Sequence, residues 1–144
     1  DLRASGGGVF FPEGSGGGPA AGTLIGLANG ANKLVEDLAV GDVLRGLDTA
    51  NPETVVAAVQ AITDVPCFTL TTHTNKSLTL SSDHTLQAGA GARIPVIDIV
   101  PNDSVDTEIG QEYILSKTFA GLLTVYHIPL SRNKFHLGGG IWCG

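Results

Sequence analysis

Short apolar stretches separated by turn residues follow one another along the chain from Thr23 onward. β-Branched residues are frequent in these stretches, Gly, Asn and Pro separate them, and helical periodicity is almost absent, a pattern typical of an all-β protein. The predicted strands are 23–25, 40–44, 55–62, 67–71, 77–80, 92–99, 111–115 and 121–128. A single helical turn is allowed within 32–38.

Three local signals refine this prediction. Asn29-Gly30 between apolar stretches has the signature of a two-residue type I′ hairpin turn. Val65-Pro66 is expected to break a strand, because proline cannot donate to the ladder. The polar segment Pro101–Ser104 is interpreted as an inserted loop.

Glycine is concentrated at the start of the chain, where seven glycines fall within the first eighteen residues around the apolar island Val9–Phe11. Glycine runs lose much entropy on ordering and offer no side chain to bury. We therefore expect a flanking linker over 1–17, a domain over 18–144, and a chain that is one piece of a larger protein.

Composition excludes several function classes. Only 15% of the residues are charged and the net charge is −6, which disfavours a nucleic-acid partner. No apolar run approaches the roughly 20 residues of a membrane helix, and residues 1–5 lack the features of a signal peptide. We expect a soluble domain, monomeric in isolation, with neither a nucleic-acid nor a membrane partner.

The four histidines are the first candidates for chemistry near neutral pH. His84 lies just beyond a predicted strand, among hydroxyl and carboxyl groups, although an ordinary polar strand exit has the same composition. His127 alternates with apolar neighbours and is equally compatible with a packed side chain, as are His73 and His136. Neither these histidines nor Cys143 show the paired spacing of a zinc site, so no metal and no cofactor is expected.

Four motifs, taken in order, resemble the Hint family, the self-processing domains of inteins, hedgehog proteins and bacterial intein-like modules. Segment 21–25 (AGTLI), with Asn29-Gly30 and 35–44 (VEDLAVGDVL) after it, is similar to the family's opening, which contains IEDLxVGDxV. Segment 78–86 (LTLSSDHTL) resembles the block that carries the catalytic histidine. The two closing motifs are matched by 124–128 (TVYHI) and 135–142 (FHLGGGIW).

This resemblance implies an all-β horseshoe of antiparallel strands with pseudo-twofold halves, in which the two chain ends meet at the histidine His84. In the family, a cysteine at the head attacks the preceding carbonyl, and the histidine protonates the leaving nitrogen. A terminal asparagine then cyclises and cleaves the second junction. The implied partners are the domain's own flanking polypeptide segments.

The sequence departs from the family at its reactive positions. The leading cysteine's position falls on Gly18, or on Pro19 to Ala21 in a shifted alignment, and none of these residues carries a nucleophile. Gly144, after Cys143, stands where the penultimate histidine belongs. Ser81 replaces the family's threonine but keeps a hydroxyl, and His127 replaces an aspartate. The asparagine would be the residue after Gly144.

Three interpretations follow. The first is a Hint-fold domain that has lost self-processing and serves as a structural or interaction module. The second is an active variant, or one captured in mutated form, in which His84 is the general acid, Ser81 and the backbone near Asp83 stabilise the oxyanion, and His127 orients groups or shuttles protons. The third is an unrelated β-rich binding module. Because the glycine-rich start is similar to glycine-rich phage tail proteins, a virion-associated or cytoplasmic location is expected.

Overall fold

The computed structural model describes residues 17–47, 53–88, 92–131 and 136–144, which form β-strands and two short 3₁₀ turns. The strands are β1 (Leu24–Gly26), β2 (Asn32–Leu34), β3 (Val43–Arg45), β4 (Glu53–Val55), β5 (Gln60–Thr72), β6 (Ser77–Ser81), β7 (Thr85–Gln87), β8 (Arg93–Pro95), β9 (Ser104–Thr107), β10 (Gly110–His127), β11 (His136–Gly138) and β12 (Ile141–Cys143). The 3₁₀ turns are Val35–Asp37 and Val96–Asp98. The predicted all-β class is therefore confirmed, and no helix in the described ranges is long and apolar enough to cross a membrane.

Ten strands form one sheet, in which the main path runs β2-β1-β11-β12-β9-β10-β5-β6. From this path β7 branches off, pairing with both β12 and β8, and β3 and β4 form a separate hairpin. Every strand pair in the described ranges is antiparallel. The first and last strands, β1 and β12, are thus separated in the sheet only by β11.

The long strands β5 and β10, of 13 and 18 residues, pair along most of their length. Their register shifts at three places, and one shift lies at Gly121, whose φ of 105° requires glycine. Bulges of this kind let a ladder continue past an irregular residue. The expected break at Val65-Pro66 is therefore wrong, and predicted strands 111–115 and 121–128 are parts of the single strand β10.

Two units of the same design make up the two halves of the fold. The first consists of β1, β2, the 3₁₀ turn Val35–Asp37 and β3, and the second of β7, β8, the turn Val96–Asp98 and β9. Equivalent hydrogen bonds recur in both units: Val35 N to Thr23 O and Val96 N to His84 O, both 2.8 Å; Ala39 N to Asp42 Oδ2, 2.9 Å, and Val100 N to Asp103 Oδ2, 3.0 Å. The predicted pseudo-twofold halves are confirmed.

This repeat corrects the interpretation of Pro101–Ser104 as an insertion. These residues occupy the same place in the second unit as 40–43 in the first, and the positive φ of Asn102 matches that of Gly41. The same turn explains why predicted strand 40–44 begins only at Val43, and why 92–99 becomes a short strand followed by a 3₁₀ turn.

The turn at Asn29-Gly30 is real but of another type. The N–H of Leu27 donates to the carbonyl of Ala31 at 2.8 Å, so the connection from β1 to β2 is longer than two residues. The Asn29 side chain accepts from Ala31 N at 2.9 Å in an Asx turn. Because Gly30 has positive φ and Asn29 does not, the turn is not type I′, which needs both.

Three clusters of buried apolar side chains form the core. One fills the second half, one fills the first half, and the third lies where the long strands meet the start of the described chain. The buried members are, in that order, Leu70, Leu78, Leu80, Leu86, Val96, Ile99, Val105, Ile114, Ile141 and Cys143; Ile25, Val35, Leu38, Leu44, Val56 and Ile128; and Ala20, Val65, Cys67 and Val125. The third cluster attaches residues 17–21 to the sheet.

Candidate functional site

The first described residues form an extended segment, 17–21, that inserts between β6 and β10. The N–H of Gly18 donates to Ser81 Oγ at 3.0 Å, and the N–H of Ser81 donates back to the Gly18 carbonyl at 3.1 Å. On the opposite side, the N–H of Tyr126 donates to the Pro19 carbonyl at 3.0 Å. Residues 17–20 are buried, and the segment is held by β6 on one side and by β10 on the other.

Lack of space for a side chain, and not a left-handed backbone conformation, explains why residues 17 and 18 are both glycine. A Cβ on Gly18 would lie 2.1 Å from the carbonyl oxygen of Tyr126, and a Cβ on Gly17 would lie 2.1 Å from Ser81 Oγ. Neither glycine has a φ in the left-handed region. Any side chain at either position therefore requires neighbouring atoms to move.

His127 ends β10 beside the Gly17–Gly18 peptide bond. Burial lowers the pKa of His127, while a hydrogen bond with the Gly17 backbone opposes this shift. Of the two backbone groups of Gly17, only the carbonyl can accept a hydrogen bond from a protonated imidazole and so raise its pKa. The hydrogen-bond partner of the His127 side chain is therefore the Gly17 carbonyl.

His84 follows β6 in a tight turn, in which its N–H donates to the carbonyl of Ser81 at 3.2 Å. Its Nε2 is buried and has no hydrogen-bond partner among the described residues. Burial, followed by the nearby charges of His136, His127 and Arg93, lowers the pKa of His84 to about 3. The imidazole is neutral at physiological pH.

A second histidine, which the sequence did not single out, lies close to His84. His136 is opposite Cys143 in the β11–β12 hairpin, with 3.8 Å between His136 Nε2 and Cys143 Sγ. Burial lowers the pKa of His136 to about 4 and raises that of the Cys143 thiol to about 12. Both groups are uncharged at neutral pH, so the pair is no thiolate–imidazolium couple.

The last residue, Gly144, is held against β7 and β8. Its N–H donates to the Thr85 carbonyl at 3.0 Å, while its own carbonyl accepts from Thr85 Oγ1 and, at 3.3 Å, from Arg93 Nη2. The first described residues contact Ser81, and Gly144 contacts Thr85, so both ends of the described chain lie against segment 81–85, which includes His84. Nothing in the residue types alone could have assigned Arg93 to this position.

The structure brings the sequence-predicted site residues into one neighbourhood. Gly18 contacts Ser81, Asp83 Oδ1 lies 3.1 Å from where a Cβ on Gly17 would be, and the backbone of His127 lies beside Gly18. The remaining predicted residues, His84, Cys143 and Gly144, surround Thr85 and His136. Their chemical roles stay predictions.

Within the described ranges, no group of three or more His, Cys, Asp or Glu side chains could hold a metal ion. Residues 1–16 of the predicted linker lie outside these ranges. Gly17, the last residue of that linker, is buried beside Ser81.

Comparisons with known proteins agree with this geometry. No protein-family model matches the chain, and no curated protein sequence does. Among solved structures, the gp41-1 intein superposes with a TM-score of 0.78 at 17% identity, over 89% of this chain and 98% of the other. A DnaB intein from Synechocystis sp. PCC 6803 gives a TM-score of 0.79 at 14% identity over 88% and 96% of the two chains.

A third intein, MchDnaB-1, superposes with a TM-score of 0.73 at 18% identity over 87% of this chain and 98% of the other. The match extends over nearly the full length of each intein, so it includes both pseudo-twofold halves. The chain therefore has the Hint fold of the intein splicing domains.

Proposed function

We propose that this chain is an intein-type Hint domain that keeps its N-terminal junction, the Gly17–Gly18 peptide bond, seated in the splicing centre without converting it to an ester or thioester. One observation carries the proposal. The residue after the junction has no side chain, and a Cβ there would lie 2.1 Å from the Tyr126 carbonyl oxygen. An N-to-S or N-to-O acyl shift requires a thiol or hydroxyl at this residue.

No other described nucleophile takes over this role. Ser81 Oγ is near the junction, but it accepts the Gly18 N–H and therefore lies close to the plane of the peptide. Attack on a carbonyl carbon has to come from above or below that plane. Ser81 is positioned to hold the amide nitrogen rather than to attack the carbonyl carbon.

The cysteines are equally unsuited. Burial raises the pKa of Cys67 to about 11 and that of Cys143 to about 12, so both are thiols at neutral pH. The thiolate is the reactive form, and it is stabilised by positive neighbours rather than by burial. Each sulfur also has a partner, the Val65 carbonyl for Cys67 and the His136 ring for Cys143.

The acid expected at the junction is unsuited as well. A general acid works best with a pKa near the operating pH. With a pKa of about 3, His84 is neutral at pH 7, and the one ring N–H that it keeps is a much weaker acid than an imidazolium. The contacts that remain at the junction, Ser81 to the Gly18 amide and His127 to the Gly17 carbonyl, are those of a binding site.

The partners in this proposal are the domain's own flanking polypeptides, and the domain is monomeric. A setting in a glycine-rich phage tail protein is supported by the composition of residues 1–18 alone. Size-exclusion chromatography with light scattering tests the monomer, which predicts a mass near 14.8 kDa.

The test of inactivity is a fusion of this chain between two foreign proteins, followed by intact mass spectrometry between pH 5 and 9, with and without added thiol. We expect one species with the mass of the uncleaved fusion. Release of the upstream protein ending at Gly17 contradicts the proposal. The matched control is His84→Ala: cleavage that disappears in this variant belongs to the Hint site, and cleavage that persists comes from a contaminating protease.

A further inference from the structure

The residue before the junction is confined more closely than the proposed function requires. A Cβ on Gly17 would lie 2.1 Å from Ser81 Oγ, 2.7 Å from Ser81 Cβ and 3.1 Å from Asp83 Oδ1. Real Cβ atoms essentially never approach another heavy atom within 3.0 Å. By contrast, a Cβ on Gly22, four residues after Gly18, would meet nothing within 4 Å.

Ser81 is not free to retreat from such a Cβ. It is fully buried at the end of β6, where it pairs with Cys67 of β5. Its N–H and its hydroxyl oxygen are both bonded to Gly18. The next residue, Ser82, is held by the Pro66 carbonyl at 3.0 Å. A side chain on Gly17 therefore has to displace segment 17–21, because Ser81 on the opposite side is held in place.

We propose that Ser81, assisted by Asp83, is the specificity-determining residue of the N-terminal junction, and that it restricts the upstream polypeptide to one that ends in glycine. The proposal rests on the proposed function, in that 17–18 is the junction. The polypeptide class that fits this site then has glycine on both sides of the junction bond, at positions 17 and 18. The run Gly16-Gly17-Gly18 in this chain satisfies that requirement.

The experiment is a double-mutant cycle in the full chain, with amide hydrogen exchange of the Tyr126 N–H as the readout. This N–H is bonded to the Pro19 carbonyl and reports whether the junction segment is seated. Gly17→Ala should speed its exchange at least tenfold. In the Ser81→Gly background, which removes the two nearest atoms, Gly17→Ala should change exchange by less than threefold relative to Ser81→Gly alone.

The matched control is Gly22→Ala, which adds the same methyl group one residue beyond segment 17–21, in open space but at a φ of 93° that disfavours any side chain. Its effect on exchange should be the same with Ser81 and with Ser81→Gly. Wild-type exchange in Gly17→Ala overturns the proposal, and so does a tenfold effect of Gly17→Ala that persists in the Ser81→Gly background.

If Gly17→Ala prevents folding altogether, recovery of the folded chain by Ser81→Gly supports the proposal, and failure to recover overturns it. Exchange reports binding of the segment and not cleavage. A failure here is therefore distinguishable from a failure of the proposed function, which is read out as a change in the mass of the fusion.

Discussion

Gly18→Ala is the sharpest perturbation of the junction, because it adds one methyl group and no new chemistry. The added Cβ would be 2.1 Å from the Tyr126 carbonyl oxygen, where ordinary contact begins at 3.4 Å. Relief of this overlap has to move the segment by roughly 1 Å. A shift of that size breaks three hydrogen bonds, namely Gly18 N to Ser81 Oγ, Ser81 N to Gly18 O and Tyr126 N to Pro19 O.

Each of these bonds contributes about 1 kcal/mol net, so the expected loss of unfolding free energy is about 3 kcal/mol. For a chain of this size that corresponds to a fall in Tm of roughly 10 °C. Urea and thermal unfolding measure both quantities.

Gly22→Ala is the matched control for this prediction. Both substitutions restrict the unfolded chain to the same extent. The Cβ added at residue 22 contacts no other atom, but the φ of 93° at that residue makes a side chain cost about 1 kcal/mol. Gly18→Ala should therefore be the less stable variant by about 2 kcal/mol. Equal stability of the two variants, within ~0.5 kcal/mol, would refute the reasoning from close approach.

Three further predictions concern buried ionisable groups. Burial holds the folded-state pKa of His84 near 3 and that of His136 near 4, below the ordinary 6.5. Stability should therefore be full above about pH 6.5 and fall by about 1.4 kcal/mol per pH unit per histidine as the pH is lowered toward these folded-state pKa values. Urea titrations at several pH values check this, and His84→Gln should flatten the slope. Glu112, 2.8 Å from Lys76, would have its pKa raised by burial, but hydrogen bonds from that lysine and two threonines lower it to about 2. Its stabilisation is therefore present above about pH 4.5 and lost toward pH 2, and Glu112→Gln should cost about 3 kcal/mol at neutral pH but little at pH 2. The buried thiol of Cys143 should resist iodoacetamide at pH 8 in the native protein and react after denaturation, as intact mass will show; rapid native labelling contradicts a pKa near 12.

The strand pattern and the all-β class were accessible from the sequence because short β-branched runs and turn residues are local signals, whereas the pseudo-twofold halves were expected only from the resemblance to the Hint family. The repeat had a signal that sequence reasoning passed over. Segments 35–44 and 96–105 share Val-x-Asp, an aliphatic residue and a later Asp at the same spacing. Read together, they place 101–104 in a turn rather than in an insertion.

Strand length was beyond local reasoning. A proline at 66 and a glycine at 121 look like strand ends in isolation, yet both lie inside long strands because the ladder between β5 and β10 tolerates bulges. That tolerance comes from pairing between residues far apart in the chain. It is visible only when both partners are known.

Part of the candidate site could be located from the sequence. The order of the Hint-like motifs pointed to Gly18, Ser81, His84 and His127. The contact of His136 with Cys143 could not be predicted in this way, because it depends on the pairing of β11 with β12. The sequence showed that Gly18 lacks a nucleophile. Only the fold shows that the Tyr126 carbonyl occupies the space a side chain would need.

The central claim, a bound junction that never becomes an ester or thioester, is tested most directly by hydroxylamine treatment of a fusion with a foreign protein upstream of residue 1. Hydroxylamine cleaves esters and thioesters to hydroxamates but leaves the Gly17–Gly18 amide intact. The account predicts that no fragment ends at Gly17 at any pH from 5 to 9; a fragment ending at Asn29 comes from the known attack of alkaline hydroxylamine on Asn-Gly bonds and is not counted. An upstream fragment ending at Gly17 as a hydroxamate, together with a chain beginning at Gly18, would contradict it.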